Sequence, residues 1–300
     1  MPNVARLLAF PIALGLALAT SCAKQDDTPP TNTADSQPAS AVSREQTIDV
    51  GGRRLQATVR GSGAPTIVLI SALGATQDYW SSIADTLATQ ATVVAYDRAG
   101  VGKSELGTLP AHAEQSARDV RALLDSLGVP KPYLLVGHSF GGNVARLFAS
   151  LYPGDIGGMV LEETQHEDNL DEMRKLLTGA DLATFTRDLA PGFDAPPTPT
   201  TEGDYRSATR DQIRRAAPLP HVPFVVLTVK GRGGDMRAMF SAEATERIVR
   251  LDSVLMTRLA ASVPGGRAIF VEGSGHNMHV DKPAAVLAEV FGMVAGIKGR

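Results

Sequence analysis

The stretch "LLVGHSFGGN", Leu134–Asn143, joins a continuous apolar run to a segment with helical spacing through a turn of small residues. Inside it, residues 137–141 match the pattern G-x-S-x-G, with Ser139 at the centre. Between a strand and a helix, this pattern forms a sharp, strained turn that lifts the serine Oγ above the sheet. The turn also points the N-terminus of the next helix at the position of a developing oxyanion. We therefore take Ser139 as a candidate nucleophile.

The chain on both sides of this turn alternates strands with helices. A Gly-Gly turn at Gly51 and Gly52 predicts a β-hairpin, and short apolar runs rich in β-branched residues predict buried strands. These runs lie at Thr66–Ser71, 91–96, 133–137, 158–163, 224–229 and 268–273. Helical spacing between them predicts a mostly parallel, twisted sheet of about eight strands with helices on both faces, an α/β fold. In such sheets, ligands bind beyond the carboxyl ends of the strands.

The composition favours one large domain and excludes some classes of function. The 300 residues are 43% hydrophobic and carry a net charge of −3, with no block of basic residues. A nucleic-acid-binding surface is therefore not expected. No cluster of His and Cys has the spacing of metal ligands, so we expect no metal. A single cysteine cannot form an internal disulfide.

The N-terminus, residues 1–22, is typical of an export signal. Arg6 precedes an apolar run, 7–19, which has the length of a signal-peptide core and is short for a membrane span. The segment ends at Cys22, the only cysteine, in an arrangement that resembles a bacterial lipobox, although Ala19 stands where Leu is usual. We favour a lipid anchor on Cys22 and a location in the cell envelope, with cleavage and plain secretion as the alternative.

A polar segment separates this signal from the folded domain. Residues 23–44 are rich in Pro, Thr, Ser and Asp, so they cannot bury enough apolar surface to order themselves. We expect a disordered tether there and a folded domain over residues 45–300. Within that domain, residues 165–220 interrupt the alternation of strands and helices. We interpret them as a small, partly helical cap over the site, and a surface excursion without a role is the alternative.

The stretch "AYDRAGVGKSELG", Ala95–Gly107, contains a Gly-Lys-Ser that also occurs at the end of phosphate-binding loops. Such a loop needs a glycine five positions before the Gly-Lys pair, because its backbone N–H groups wrap the phosphates. Asp97 occupies that position. The loop also follows the second internal strand, whereas a phosphate-binding loop is expected after the first. The spacing therefore excludes a nucleotide site.

A serine hydroxyl needs a base to take its proton, so a histidine must reach Ser139. In "AIFVEGSGHNMHVDKP", residues 268–283, His276 lies in a Gly-Ser-Gly turn directly after the last predicted strand. That loop can carry the imidazole across the sheet edge to the serine. We prefer His276 as the base over His279, which lies three residues later and opens toward the final helix.

A carboxylate must hold the imidazole in its reactive tautomer, and two acids lie at suitable strand ends. Asp235 lies in a glycine-rich loop after the penultimate predicted strand, and Glu163 ends the strand before it. We prefer Asp235 because its loop is rich in glycine and ends in a single acid, and Glu163 is the alternative. The oxyanion hole is expected from the N–H groups of Phe140, after the serine, and Leu73, after the first buried strand.

Three stretches together resemble the α/β-hydrolase superfamily: "YDRAGVGKS" at 96–104, "VGHSFGGN" at 136–143 and "GSGHNMHVDKP" at 273–283. The resemblance covers residue 45 to the C-terminus. It implies the fold of that superfamily, no cofactor and no metal. It also implies that Asp97 and Arg98 lie in a loop that borders the active site.

The chain departs from the family pattern after the third strand, where Ser71 and Ala72 replace the usual His-Gly. A serine at position 139 argues against relatives with an aspartate nucleophile, the epoxide hydrolases and haloalkane dehalogenases. The resemblance therefore implies a serine hydrolase that cleaves a carboxylic ester of a small molecule through an acyl-enzyme on Ser139. One alternative is an amide, peptide or C–C bond hydrolase with the same triad. Another is a non-catalytic envelope lipoprotein that uses this fold for binding.

Overall fold

The computed structural model describes residues 43–107, 112–194, 206–232 and 234–299. Eight strands in these residues form one sheet. They are β1 (Arg44–Asp49), β2 (Arg54–Arg60), β3 (Thr66–Ile70), β4 (Thr92–Tyr96), β5 (Tyr133–His138), β6 (Ile156–Glu162), β7 (Phe224–Val229) and β8 (Arg267–Val271). Each apolar run that the sequence singles out forms a strand, so the predicted α/β sheet is confirmed.

The strand order in the sheet is β1-β2-β4-β3-β5-β6-β7-β8. β1 and β2 form the predicted antiparallel hairpin, β2 also pairs antiparallel with β4, and the pairs from β4 to β8 are parallel. On the last rungs of the parallel part, His138 pairs with Glu162, and Glu162 pairs with Leu227. The loops after β5, β6, β7 and β8 therefore share one edge of the sheet.

Helices cover the sheet and fill the connections between strands. They are α1 (Ala84–Ala88), α2 (Ala113–Leu127), α3 (Phe140–Leu151), α4 (Asn169–Leu176), α5 (Gly179–Thr184), α6 (Pro191–Asp194), α7 (Arg206–Arg215), α8 (Ala242–Ala261), α9 (Met278–Asp281) and α10 (Pro283–Lys298). Short 3₁₀ helices lie at Gln77–Trp80, Pro153–Asp155 and Gly234–Ala238, and a π turn lies at Phe185–Leu189. α2 stops at Gly128, whose φ of 62° gives the left-handed cap that glycine adopts without strain.

Both faces of the sheet are buried. In β3, Val68 and Ile70 face the core formed with α2, α3 and α8, whereas Ile67 and Leu69 face the core formed with α1 and α10. Because successive side chains of a strand point to opposite faces, a strand covered on both sides is apolar at each position. This is why continuous apolar runs, without alternation, marked the strands of this protein.

Residues 165–220, between β6 and β7, contain α4 to α7 in their described part; we call them the insertion. α4 begins at Asn169 and ends at Leu176, because the next residue, Leu177, has an extended backbone with a ψ of 148°. The insertion packs on α8 through a separate apolar cluster, the insertion cluster. Its buried members are Leu170, Met173, Leu177, Phe185, Ala190, Phe240, Ala244 and Ile248. A capping role for the insertion stays a prediction.

The predicted export signal, Cys22 and nearly all of the predicted tether lie outside the described residues. β1 begins at Arg44, one residue before the predicted start of the folded domain. Within the four described ranges, no helix is both long and apolar enough to cross a bilayer.

Candidate active site

Ser139 occupies the turn between β5 and α3. Its backbone has a φ of 52° and a ψ of −119°, a conformation that a residue with a Cβ adopts only under strain. Neighbouring residues hold it there: the Ser139 N–H donates to the carbonyl of Glu162 at 2.9 Å, and the Ser139 carbonyl accepts from Thr164 Oγ1 at 3.2 Å. The end of β6 and the residue two beyond it therefore impose the strained turn.

The glycines around Ser139 are required by close packing. A Cβ at Gly141 would lie 2.0 Å from the carbonyl oxygen of Ile70, and a Cβ at Gly137 would lie 2.6 Å from the carbonyl oxygen of Gly141. A Cβ at Gly142 would lie 2.4 Å from Thr164 Oγ1. These approaches let α3 start directly against the ends of β3 and β5, which explains each glycine of the sequence G-x-S-x-G-G.

His276 lies in the loop between β8 and α9, and its side chain is half-exposed. Its ring centroid is 4.6 Å from that of His138, the residue before the serine. Nδ1 of His276 is 3.2 Å from Oε2 of Glu163, the residue that follows β6. The structure thus brings an imidazole and a carboxylate together beside the strained serine.

Glu163 is 2% exposed and well supplied with hydrogen-bond donors. Oε1 accepts from the Val229 N–H at 2.6 Å and from Thr228 Oγ1 at 3.0 Å, and Oε2 lies 3.3 Å from Nε of Arg232. Burial alone would raise the pKa of this carboxyl. The hydrogen bond from His276, the charge of Arg232 and the two bonds from β7 outweigh burial and lower the pKa below its ordinary value. Glu163 is therefore ionised at neutral pH.

The structure favours Glu163 over the preferred Asp235 as the acid. The carboxylate in contact with His276 Nδ1 is that of Glu163, the alternative. Asp235 lies in the 3₁₀ helix Gly234–Ala238, and its side chain lies outside the described part of the structure. The physical reason is the pairing of β6 with β7: it brings Glu163 against the end of β7, where Thr228 and Val229 supply the donors that a buried carboxylate needs.

His279, the other histidine of this loop, is engaged elsewhere. Its Nδ1 and its backbone N lie 2.8 and 2.9 Å from Oε1 of Glu162, and its Nε2 lies 3.1 Å from the carbonyl oxygen of Tyr79. The side chains of His279 and Glu162 are both fully buried. His279 therefore anchors the loop to the end of β6 through Glu162, whereas the side chain of His276, in the same loop, stays half-exposed. This geometry supports the choice of His276 over His279.

His138 fixes the backbone of His276. Its Nε2 lies 2.7 Å from the carbonyl oxygen of His276, and its Nδ1 lies 3.2 Å from the hydroxyl of Tyr79. Burial, helped by the nearby rings of His276 and His279, lowers the pKa of His138 to about 3. The ring is therefore neutral, and because a carbonyl can only accept, the proton of His138 resides on Nε2. The loop of His276 is tied to the residue that precedes Ser139.

Leu73 and Phe140, the expected oxyanion donors, line one cavity of about 220 Å³ together with Ser139. Arg98 supports this wall. Its Nη1 donates to the carbonyl of Ser71 at 2.5 Å, its Nη2 donates to the carbonyl of Ala72, and its guanidinium lies over the Phe140 ring at 5.5 Å. In this chain, where Ser71 and Ala72 replace His-Gly, the buried Arg98 holds the backbone that leads to Leu73.

The Gly-Lys-Ser loop folds around Asp97. Oδ1 of Asp97 accepts from the Gln77 N–H at 2.7 Å, and Oδ2 accepts from the Lys103 N–H at 2.9 Å. A Cβ at Gly102 would lie 2.3 Å from Oδ2, so glycine is needed for this approach. The loop therefore closes around a carboxylate, and the N–H groups of Gly100, Val101, Lys103 and Ser104 all donate within it. It forms a support for the site, as the resemblance implies, and has no phosphate cradle.

A second cavity, of about 390 Å³, lies next to the first and contains His276 and Glu163. Gln165 and Arg232 line both cavities, so the two adjoin. Asp252 of α8 also lines the second cavity and lies 3.8 Å from Nη1 of Arg232. Burial raises the pKa of Asp252 to about 6; Arg232 opposes this shift and Glu163 adds to it.

Sequence reasoning missed Glu162, Tyr79, Arg232 and Asp252. Tyr79 lies in the short 3₁₀ helix Gln77–Trp80 and Arg232 in a loop, neither with a recognisable sequence pattern, and Asp252 lies in the middle of a regular helix. The one available signal was the tandem Glu162-Glu163 at the end of a strand, followed much later by His276 and His279, with which the two acids pair in reverse order. Among the described residues, no group of three or more His, Cys, Asp or Glu is arranged to hold a metal ion.

A family model described as the alpha/beta hydrolase fold matches residues 65–220 of this chain. The chain belongs to the alpha/beta hydrolase family. The matched part runs from the residue before β3 to the end of the insertion and includes Ser139 and Glu163; His276 lies beyond it.

Known proteins agree with this membership. The uncharacterised protein YqjL of Bacillus subtilis (strain 168) is 24% identical over 238 residues, 77% of this chain and 84% of that protein. An AB hydrolase superfamily protein of Gibberella zeae is 22% identical in an alignment 278 residues long. The alignment covers 75% of this chain and 85% of that protein. The structure of a thermophilic esterase from Thermogutta terrifontis has a TM-score of 0.56 and 17% identity over 85% of this chain and 99% of its own. This structural likeness shows the shared fold.

Proposed function

We propose that this alpha/beta hydrolase is a serine esterase, with Ser139 as nucleophile, His276 as general base and acid, and Glu163 as the orienting acid. The observation that carries the proposal is the contact of 3.2 Å between His276 Nδ1 and the buried, ionised Glu163 beside the strained Ser139. A carboxylate on Nδ1 keeps the proton of the neutral imidazole there, so Nε2 is left free to accept a proton from a hydroxyl.

In the first half of the reaction, Ser139 Oγ attacks the ester carbonyl carbon and its proton passes to His276 Nε2. The carbonyl oxygen becomes an oxyanion that accepts from the N–H groups of Phe140 and Leu73. Glu163 stabilises the imidazolium through Nδ1 and stays ionised, since Arg232 and the donors of β7 favour its charged form. The bond from the carbonyl carbon to the alcohol oxygen then breaks, and the alkoxide takes the proton from His276.

In the second half, a water molecule gives one proton to His276 Nε2 and its oxygen attacks the acyl carbon. The second oxyanion collapses, the bond from that carbon to Ser139 Oγ breaks, and the proton on His276 returns to the serine. The products are a carboxylic acid and an alcohol, and the protein ends as it began. No redox partner or metal enters this sequence of steps.

Labelling by a fluorophosphonate probe tests the proposal. We expect the probe to phosphonylate Ser139 in the folded protein, as identified by mass spectrometry of the peptide, and to leave Ser139→Ala unlabelled. The label should also be lost when the protein is unfolded before the probe is added, because the activation depends on His276 and the oxyanion donors.

Absence of labelling in a folded sample would favour the non-catalytic alternative, a binding protein on a hydrolase fold. Labelling combined with turnover of amides or C–C bonds, and none of esters, would instead assign the same triad to one of those reactions.

A further inference from the structure

One buried carboxylate of the second cavity lacks the hydrogen bonds that such a group normally accepts. Asp252, in the middle of α8, lines this cavity together with His276 and Glu163 and is only 7% exposed. Its Oδ1 lies 3.8 Å from Nη1 of Arg232, which is an ion pair but too long for a hydrogen bond. No described residue donates a hydrogen bond to this carboxylate. Buried polar groups are almost always hydrogen-bonded, so Asp252 offers unused acceptor capacity to the cavity.

Glu163, the other carboxylate of this cavity, has a full set of partners. Two donors of β7 bond to its Oε1, and its Oε2 lies 3.2 Å from Nδ1 of His276 and 3.3 Å from Nε of Arg232. Arg232 also donates from Nη1 to the Thr164 carbonyl at 2.6 Å. The guanidinium is thus held by the residues that follow β6, and Asp252 is left with its one long contact.

At neutral pH, the second cavity carries a negative charge that no described residue balances. Among the described residues that line it, Glu163 and Asp252 are acidic and Arg232 is basic, and His276 is neutral when it acts as the base. Burial raises the pKa of Asp252 to about 6, and the charged groups that act on it are Arg232 and Glu163. Because this pKa still lies below neutrality, most of the carboxylate is ionised at neutral pH. Its attraction for a cation is stronger than at the surface, since a buried site screens charge less than water does.

Asp252 is a costly residue at this place in the fold. Its raised pKa means that the ionised carboxylate is less favourable in the folded protein than in the unfolded chain. An asparagine at the same position of α8 would avoid this cost. Carboxylates with such perturbed pKa values cluster at functional sites, where binding or catalysis outweighs the loss of stability. A cationic ligand that pairs with Asp252 in the cavity would recover this cost.

From this unpartnered carboxylate we infer that the second cavity binds a protonated amine, and that the substrates are esters that carry an alkylammonium group. An ammonium brings three N–H donors and one positive charge, so it matches both the free acceptor capacity and the charge of Asp252. The alkyl chain would lie against Met173, Met236 and Ile248, which line the same cavity. The inference rests on the proposed serine esterase activity, and it holds for an amine on either side of the ester.

Two pairs of esters test the inference with the full-length protein at neutral pH. Ethyl ω-aminohexanoate is compared with ethyl heptanoate, and ω-aminohexyl acetate is compared with heptyl acetate. In each pair, a methyl group replaces the ammonium, which stays protonated because its pKa is close to that of a lysine. We expect kcat/KM for the ammonium ester to exceed that for its neutral partner in at least one pair. The difference should be about tenfold or more, the scale of a hydrogen bond to a charged group.

A pair of variants tests the placement of the ammonium. Asp252→Asn keeps the shape of the side chain and removes its charge, so the preference for the ammonium ester within a pair should fall by about tenfold. The kcat/KM for the neutral ester should stay within a few-fold. Glu246→Gln is the matched control: Glu246 lies on the same helix, its side chain is 71% exposed, and it is not among the described residues that line either cavity. It loses the same charge and should keep the preference of the unmodified protein.

Binding measured without catalysis separates this inference from the proposed function. Hexylammonium chloride should bind to Ser139→Ala in a calorimetric titration, and about tenfold more weakly when Asp252→Asn is added.

Four results would overturn the ammonium site: preference for the neutral ester in both pairs, a preference that survives in Asp252→Asn, hexylammonium binding that Asp252→Asn does not weaken, or turnover of none of the four esters by protein whose Ser139 reacts with the fluorophosphonate probe. Failure of the probe to label Ser139 would overturn the esterase proposal instead, and the titration with hexylammonium would still decide whether Asp252 binds an amine.

Discussion

At the scale of single residues, the site depends on how Glu163 is held. Its φ of 49° is unusual for a residue with a Cβ, and the bond from its N–H to the Leu227 carbonyl at 2.8 Å helps to maintain it. This backbone turns the carboxylate between the end of β7 and the His276 loop. One oxygen is satisfied by β7, and the other is left for the imidazole and Arg232.

Replacing each acid in turn tests which one orients His276. A Gln at position 163 can present an amide N–H to Nδ1 and so favour the tautomer with its proton on Nε2, which cannot act as a base. We expect Glu163→Gln to lower kcat by about 10³–10⁴-fold, the scale of the same change in other Ser-His-acid triads. Asp235→Asn should stay within a few-fold of the unmodified protein. Steady-state ester hydrolysis measures both, and a larger loss in Asp235→Asn would restore the sequence-based preference.

At the scale of secondary-structure elements, the decisive contact is that of α3 with the ends of β3 and β5. Helix propensity alone favours alanine over glycine by about 1 kcal/mol, so the first turn of α3 would be a more stable helix without its glycines. The glycines persist because the helix backbone lies against the strand backbone, with no room for a Cβ. The strained serine is thus coupled to the packing of α3.

Two glycine-to-alanine variants separate packing from propensity. In Gly141→Ala, the new Cβ would lie 2.0 Å from the Ile70 carbonyl oxygen, and neither backbone can yield easily. We expect the free energy of unfolding to fall by about 2–3 kcal/mol or more, against the gain in propensity. In Gly154→Ala, no atom lies within 4 Å of the new Cβ, and the change should stay within about 0.5 kcal/mol. Urea titration measures both, and equal stabilities would contradict the packing argument.

The strands and helices were largely predictable from the sequence, whereas the segments against which they pack were not. The strands and α2, α3, α4, α8 and α10 follow from apolar periodicity, glycine stops and proline, which act within a few residues of the chain. The π turn at Phe185–Leu189 and the burial of Phe185 depend on contact with α8, across about sixty residues of sequence. No local pattern carries that information.

At the scale of the whole molecule, the site combines one cation with two carboxylates in a buried place. Arg232 contacts Glu163 directly and lies near Asp252, and it also donates to the Thr164 carbonyl at 2.6 Å. The Arg232 guanidinium is shared by the two carboxylates. At Asp252, its charge does not fully offset the rise in pKa that burial causes. Glu163 therefore has a lowered pKa, whereas the pKa of Asp252 is raised to about 6.

This arrangement makes stability depend on pH. Below pH 3.8, Asp252 is protonated in the folded and unfolded states alike. Between pH 3.8 and about 6, Asp252 is mostly ionised in the unfolded chain but still protonated in the folded protein. Its contribution to the free energy of unfolding therefore falls as the pH rises, by a total on the order of 3 kcal/mol. Asp252→Asn does not titrate. Its stability relative to the unmodified protein should therefore increase between pH 4 and pH 7, as measured by urea unfolding at each pH. A difference that stays constant over this range would contradict the raised pKa.

The sequence by itself determined the α/β architecture, the strained turn at Ser139 and the loop that carries His276, because periodicity, glycine spacing and strand–turn–helix order are local properties. Only the tertiary structure decided that Glu163 contacts His276 and that Glu162 pairs with His279. That choice depends on the pairing of β6 with β7, which supplies donors to one buried carboxylate. A carboxylate buried without donors is too costly to keep ionised, so the acid of the site is selected by contacts that lie far apart along the chain.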